Sequence, residues 1–229
     1  MLKFNVEEGI KLKNKENQTK EKITGKRVFN EIVEWILCFL AAYIIYLIVN
    51  YFFGTISCVR QTSMLPTAVE GQRVTVQRSK VFKKDLNYGD IIIFEAPLEE
   101  TGEKSDLLDV VANYDDKKGI EAFTYYFMGI GKAEYIKRVI GLPGDHILIT
   151  AEGEVYRNDE KLQEDYLNDG YTTINGYYYD VVVPEDCIYV MGDNRVYSKD
   201  SRYFGCVPIE KVTGYVGIRV WPLNKIGNL

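Results

Sequence analysis

The longest apolar run in the chain lies near its N-terminus. Residues 35–53 read WILCFLAAYIIYLIVNYFF, and no charged residue occurs from Trp35 to Val59. A helix of this length extends about 28 Å, close to the ~30 Å hydrocarbon thickness of a bilayer. A buried core helix is one alternative. A cleaved signal peptide fits poorly because the run is long and begins about thirty residues into the chain. The pattern predicts a retained transmembrane anchor over residues 31–55.

Beyond the anchor, the apolar residues occur in short runs rich in β-branched and aromatic side chains. Gly, Pro, Asn and Asp separate these runs, which predicts strands. The predicted strands cover residues 74–77, 90–96, 135–141, 146–150, 177–183, 187–192 and 214–222. They indicate a mainly β domain over residues 56–229, with a coiled or barrel-like antiparallel sheet. Residues 98–133 interrupt the rhythm and are expected to form an inserted lobe or a short helix over the functional site.

The charges divide into a basic beginning and an acidic remainder. Residues 1–30 carry 8 Lys or Arg and 4 Asp or Glu, whereas the rest of the chain carries 20 and 29. Basic residues beside an apolar span stay on the cytoplasmic side. We therefore predict a cytoplasmic tail over residues 1–30 and an extracytoplasmic main domain. The acidic balance of that domain argues against a nucleic acid partner.

Cysteine and histidine are too few for a zinc site of ordinary ligand spacing. The chain has four cysteines without a C-x-x-C pair and one histidine, His146. No metal or cofactor is expected. Cys187 and Cys206 form either a disulfide or two buried thiols, since spacing alone does not decide.

Four segments combine polar side chains with glycine or proline. They are TSMLPT at 62–67, NYGDIIIF at 87–94, YIKRVIGLPGD at 135–145 and GDNRVYSKDSRYFG at 192–205. A serine hydroxyl in such a segment is a poor nucleophile unless a nearby base accepts its proton. His146 is a poor base because the adjacent Asp145 cannot readily orient it as the acid of a triad does. A lysine is therefore the remaining candidate for the base that accepts the serine proton.

Lys137 stands out because its neighbours Ile136, Val139 and Ile140 are apolar. A free lysine has a pKa of about 10.4, so only about one in 2500 is neutral at pH 7. Burial disfavours the ammonium form, and at a pKa of about 8 roughly one in ten is neutral. A desolvated Lys137 would therefore be able to serve as a general base.

The four segments, in this order behind an apolar anchor, resemble those of bacterial type I signal peptidases of the Ser/Lys kind. The resemblance implies a membrane-bound serine endopeptidase that removes signal peptides from exported preproteins. It assigns Ser63 as nucleophile and Lys137 as general base, which later gives its proton to the leaving amine.

Supporting residues also follow from the resemblance. Ser198 corresponds to a serine that hydrogen-bonds the lysine amine, and Asp200 and Arg202 correspond to an ion pair beneath the site. Arg138 is expected to pair with an acidic residue of the same segment.

The oxyanion site departs from the family pattern. The Ser63 N–H supplies one donor, but Gln61 stands where relatives have Ser, Thr or Gly. The second donor stays open between Gln61 and Thr62.

Members of the family bind substrate as an extended strand with small side chains one and three positions before the cut, which point to one face. Thr62, Met64 and Ile136 are expected to contact it, although Met64 is also interpreted as a packing residue.

Other functions remain open. The 98–133 insertion and Gln61 favour a dedicated processing peptidase with one or few secreted clients. A non-catalytic assembly factor of the same fold is a further alternative, although Ser63 and Lys137 are both present. Self-cleaving Ser/Lys repressors share a related β core but carry a DNA-binding region instead of an anchor. The sequence does not predict an oligomeric state.

Overall fold

The apolar run near the N-terminus is helical. In the computed structural model, helix α1 covers Val6–Phe53 and includes most of the basic segment before the run. Its Gly25–Tyr46 part is long and apolar enough to cross a membrane. Large side chains such as Trp35 and Phe39 are exposed along it. The helix has the length and composition that the predicted anchor requires.

The structure describes residues 6–78, 85–98, 110–128, 131, 133–167, 172–173 and 176–229. The chain divides into two units, Met1–Asn50 and Tyr51–Leu229. All of the described strands belong to the second unit. In chain order they are β1 Thr55–Cys58, β2 Arg73–Arg78, β3 Ile91–Glu95, β4 Glu134–Gly141, β5 His146–Ile149, β6 Val155–Arg157, β7 Glu160–Lys161, β8 Asp180–Val182, β9 Cys187–Met191, β10 Val207–Pro208, β11 Val212–Trp221 and β12 Gly227–Asn228.

These described strands form two antiparallel sheets. The larger has the order β1-β2-β11-β3-β4-β9-β10, with β12 paired to β11, and the smaller has the order β7-β6-β5-β8. The long strand β11 changes register against both β2 and β3. Such irregularities bend a strand and increase the twist of its sheet.

Strands β3 and β9 are buried on both faces. All five residues of each strand are buried. In β9, Ile188 and Val190 pack in one core cluster, whereas Tyr189 and Met191 pack in another. Successive side chains of a strand point to opposite faces, so one continuous apolar run fills two cores. Strand β4 lies between β3 and β9 and is therefore removed from water along most of its length.

The mainly β, antiparallel fold predicted from the sequence is confirmed. Each of the seven predicted strands overlaps an observed one, namely β2, β3, β4, β5, β8, β9 and β11. The strands that were not predicted, β1, β6, β7, β10 and β12, have two to four residues each. So short a segment contains too few positions for an alternating pattern to be recognised.

The segment 98–133 contains helix α2, Gly119–Met128. Before it, Val111 forms a parallel bridge with Cys206, and the Ala112 N–H donates to Cys206 O at 2.9 Å. The early acidic part, residues 99–109, lies outside the described residues.

Cys187 and Cys206 are buried and not joined by a disulfide. Of the two alternatives for these cysteines, the structure contains the separate thiols.

Candidate active site

The loop between β1 and β2 carries Ser63. The Val59 N–H donates to Gln72 O and the Gly71 N–H donates to Val59 O, both at 2.9 Å, so the loop closes at its base. Met64 is fully buried and packs in the same core cluster as Val59. This packing anchors the loop directly beside Ser63. As a residue that contacts substrate, Met64 remains a prediction.

Lys137 approaches Ser63 from β4. Its Nζ donates a hydrogen bond to Ser63 Oγ at 2.8 Å. Only 1% of Lys137 and 5% of Ser63 is exposed. The two residues are 74 positions apart in the chain, so the packing of the loop against the larger sheet brings them together. The Tyr135 ring lies 5.3 Å from the same Nζ.

Burial lowers the pKa of Lys137 to about 8, and the positive charge of Arg202 acts in the same direction. The carboxylates of Asp200 and Asp193 oppose the shift but do not cancel it. Desolvation prevails because the ammonium form loses its hydration in the interior. About one amine in ten is then neutral at pH 7, and the neutral amine is the form that accepts a proton from a hydroxyl.

Asp200 and Arg202 form a buried ion pair beside the site. Arg202 Nε donates to Asp200 Oδ1 at 2.8 Å and Nη2 to Oδ2 at 2.9 Å. The Gly192 N–H donates to Asp200 Oδ2 at 3.0 Å. Burial alone would raise the pKa of Asp200, but the charge and hydrogen bonds of Arg202 outweigh it and hold that pKa below its usual value. The pair therefore adds little net charge beside Lys137.

Ser198 lies in the same segment but does not hydrogen-bond Lys137 in this structure. Its hydroxyl oxygen is buried and has no hydrogen-bond partner of ordinary geometry among the described residues, although the hydroxyl favours the charged form of Asp200. A Cβ at Gly192 would lie 2.3 Å from this oxygen and 2.4 Å from Ser63 O. The close approach requires glycine at position 192. The role of Ser198 toward the amine stays a prediction.

Asp193 joins the base strand to the nucleophile loop. Arg138 Nε donates to Asp193 Oδ1 at 2.8 Å and Nη2 to Oδ2 at 2.6 Å. Thr67 Oγ1 donates to Asp193 Oδ2 at 2.5 Å. Arg138 also donates to Gly89 O at 2.9 Å, and its guanidinium lies 4.2 Å from the Tyr166 ring. The acidic partner of Arg138 is thus Asp193.

The contacts of two further residues at this turn, Asn194 and Arg195, were not predicted from the sequence. Asn194 donates to the backbone of the nucleophile loop, through its N–H to Ser63 O and through Nδ2 to Thr62 O. Arg195 forms a buried bidentate pair with Glu164, and its Nε donates to Gly192 O at 3.0 Å. Both Asn194 and Arg195 lie within the GDNR motif, whereas nothing in the sequence around Glu164 singles it out.

The predicted oxyanion and substrate residues lie around Ser63 or beside Lys137. Gln61 and Thr62 are exposed, and Ile136 is half-buried. Ile136 packs against the cluster that contains Met64. In the described part of the chain, no group accepts a hydrogen bond from the Ser63 N–H. The second oxyanion donor therefore stays open between Gln61 and Thr62.

Residues 32–221 match the family model for signal peptidase, peptidase S26. This chain belongs to that family. It is a serine endopeptidase, as the sequence resemblance implied, and all four motif segments lie within the matched residues.

Two curated signal peptidases illustrate the relationship. The chain is 30% identical over 210 residues to signal peptidase IB of Staphylococcus aureus (strain COL), which covers 85% of this chain and 92% of that protein. It is 32% identical over 169 residues to probable signal peptidase I-2 of Synechocystis sp., which covers 73% of this chain and 63% of that protein. A crystal structure of signal peptidase I from Enterococcus faecalis V583 aligns at 28% identity over 58% of this chain and 97% of that chain, with a TM-score of 0.37.

Replacing Lys137 with Met should stabilise the protein most below pH 8. The pKa of about 8 in the folded state lies below the value of about 10.4 in the unfolded chain. Between these values the unfolded state binds more protons, so wild-type stability rises with pH over this range. Below pH 8 the buried ammonium costs about 3 kcal/mol. Met removes this cost, although loss of the hydrogen bond to Ser63 offsets about 1 kcal/mol.

Thermal unfolding of the full chain in detergent at pH 7 and pH 10 measures this effect. The control is Lys199→Met, which changes an exposed lysine of the 192–205 segment. We expect the Lys137→Met variant to have a higher Tm than wild type at pH 7 and a smaller advantage at pH 10. An equal difference at both pH values would contradict the burial argument.

Proposed function

We propose that this signal peptidase cleaves signal peptides from exported preproteins with Ser63 as nucleophile and Lys137 as general base. The observation that carries the proposal is the buried 2.8 Å hydrogen bond from Lys137 Nζ to Ser63 Oγ. A lysine held in an apolar interior beside a hydroxyl costs stability, and such perturbed groups concentrate at catalytic sites. This cost has no evident use in a non-catalytic assembly factor.

The reaction begins when the neutral Lys137 amine takes the proton of Ser63 Oγ. The oxygen attacks the scissile carbonyl carbon, and the π electrons of that carbonyl move onto its oxygen. The Ser63 N–H, free of acceptors among the described residues, donates to this oxyanion. When the intermediate collapses, the Lys137 ammonium gives its proton to the leaving amine. The same amine then activates water to release the acyl group from Ser63.

The surrounding ion pairs keep the amine reactive. A lone carboxylate beside Lys137 would stabilise the ammonium and raise its pKa. Asp200 is instead paired with Arg202, and Asp193 with Arg138. Each carboxylate is largely neutralised by its own guanidinium. The buried carboxylates of Asp200 and Asp193 therefore stabilise the structure around the site without raising the pKa of Lys137 to that of a solvated lysine.

Substrate would lie as an extended strand past Ser63, with its side chains alternating between the enzyme and solvent. Ile136 and Met64 pack in the same cluster. A small side chain would lie against this cluster, whereas a larger one would have to displace core atoms. We propose that Thr62 and Ile136 contact the residues before the cleaved bond, and that the fully buried Met64 supports this surface from the core cluster against which Ile136 packs.

The membrane would hold enzyme and substrate together. Helix α1 has an apolar part long enough to span a bilayer, and Ser63 follows the end of that helix by ten residues. A signal peptide also has an apolar segment, so both chains would present their reacting groups near one surface. We propose a cytoplasmic N-terminus and an extracytoplasmic catalytic domain, in accord with the basic residues before the anchor.

Cleavage of a purified preprotein by the full chain in detergent tests the proposed dyad. Ser63→Ala and Lys137→Ala should each lower kcat/KM by at least about 10³-fold, because nucleophile and base act as one unit. Lys199→Ala removes an exposed lysine of the 192–205 segment and should cleave like wild type. If Lys137→Ala retains the wild-type rate, the lysine is not the base.

Labelling of Cys58 tests the orientation of the chain. This cysteine is exposed and precedes Ser63 by five positions, whereas Cys187 and Cys206 are buried. Cys38 is also exposed but lies within the apolar part of α1, where the proposed bilayer would shield it from the reagent. A membrane-impermeant maleimide should label the protein in intact cells, and Cys58→Ser should abolish the label. Labelling that occurs only after lysis would place the catalytic domain on the cytoplasmic side.

A further inference from the structure

Asn194 contacts the backbone on both sides of Ser63. Its N–H donates to Ser63 O at 3.0 Å, and its Nδ2 donates to Thr62 O at 3.1 Å. Only 3% of Asn194 is exposed. One buried residue therefore holds both carbonyl groups that flank the Ser63 Cα, from a segment 132 positions further along the chain.

The contact with Thr62 O also determines where the Ser63 N–H points. The Thr62 C=O and the Ser63 N–H belong to one planar peptide unit, in which they point in opposite directions. A hydrogen bond that fixes the carbonyl therefore fixes the N–H. The Leu65 N–H also donates to Thr62 O, at 3.2 Å, but Leu65 belongs to the same loop and moves with it. Asn194 ties the peptide unit to the turn after β9, which is a separate segment of the chain.

The chemistry fixes the orientation of the Asn194 amide. The reversed amide would place two acceptor oxygens, Oδ1 and Thr62 O, within 3.1 Å of each other. In the observed orientation Asn194 Oδ1 is buried and has no partner among the described residues. An unsatisfied buried acceptor destabilises a fold. The hydrogen bond from Nδ2 to Thr62 O therefore explains asparagine at this position, because the other polar atom of the amide, Oδ1, makes no hydrogen bond among the described residues.

The neighbours of Asn194 hold it rigidly. Asp193 is bound by two nitrogens of Arg138 on β4. Arg195 is bound by both carboxylate oxygens of Glu164, in the loop after β7. Ion pairs to two different parts of the domain thus brace the turn on each side of Asn194. A side chain held this way can aim a backbone group without moving during the reaction.

We propose that Asn194 is a positioning residue that aims the Ser63 N–H at the oxyanion. The inference rests on the proposed function, in which Ser63 Oγ attacks a peptide carbonyl. Asn194 itself does not contact the substrate. Its effect reaches the reaction through one peptide unit, so it should matter for the tetrahedral intermediate and not for the bound substrate.

The test compares two variants of the full chain in detergent. Asn194→Asp keeps the size of the side chain and its backbone N–H but removes the Nδ2 donor. Asn194→Ala removes the donor without adding charge, so a failure of the Asp variant to fold still leaves a test. Val196→Ala changes a side chain of the same segment that is 38% exposed and serves as the matched control.

Three quantities separate aiming from general damage. We expect kcat to fall about 10- to 100-fold, since loss of a whole oxyanion donor costs about 10²- to 10³-fold. KM and the affinity for the product signal peptide should change by less than about twofold. The inhibition constant of a peptide boronate, whose adduct with Ser63 Oγ is tetrahedral, should rise by the same factor by which kcat/KM falls.

Each other outcome has a defined meaning. Wild-type kcat in both variants, equal losses of boronate and product-peptide affinity, or failure of both variants to fold would overturn the positioning role. Ser63→Ala separates this inference from the proposed function. If Ser63→Ala cleaves like wild type, the proposed function itself is wrong. If Ser63→Ala is inactive while both Asn194 variants cleave normally, only the inference about Asn194 is wrong.

Discussion

A lysine amine withdrawn from water is the constraint on which the rest of this structure depends. Lys137 lies on β4, between two strands whose residues are buried on both faces. Removal of hydration disfavours the ammonium form and brings the pKa of the amine to about 8. The hydroxyl of Ser63 then receives its hydrogen bond from a group that is partly neutral at physiological pH. The continuous apolar strands are thus part of the chemistry as well as of the core.

The turn after β9 connects the parts of the domain that this chemistry needs. Gly192 allows close approach to Ser63 O, and Asp193 binds the guanidinium next to Lys137 in the chain. Asn194 binds the carbonyls beside the nucleophile, and Arg195 binds Glu164 in the loop after β7. Four consecutive residues therefore contact three different parts of the domain, namely the loop that carries Ser63, strand β4 and the loop after β7. Such a turn couples the position of the serine to that of the lysine.

The sequence predicted those features that depend on neighbouring residues in the chain. The apolar run of α1 and the main strands follow from local patterns. The order of the four motif segments, which include Ser63 and Lys137, was sufficient to identify the family of the chain. The pair of Arg195 with Glu164 could not be predicted, because these residues are 31 positions apart and meet only through the path of the loop after β7. The two contacts of Asn194 likewise depend on how separate segments pack.

Two expectations about the site remain predictions for a physical reason. Ser198 is buried in the expected segment, but its hydroxyl has no partner of ordinary geometry among the described residues. A small rotation of such a group changes its partner without any change of fold. Gln61 and Thr62 are exposed, so a bound substrate would decide which of them donates to the oxyanion.

Direct titration of the Lys137 amine tests the central claim most directly. The full chain in detergent, labelled with ¹³C at the lysine Cε, gives a resonance for Lys137 that is identified by its absence from Lys137→Met. The account predicts a titration midpoint at about 8, well below the value of about 10.4 for a solvated lysine. A midpoint at or above 10.4 would show an amine that stays charged at neutral pH, and the proposed base would then be unable to accept the serine proton.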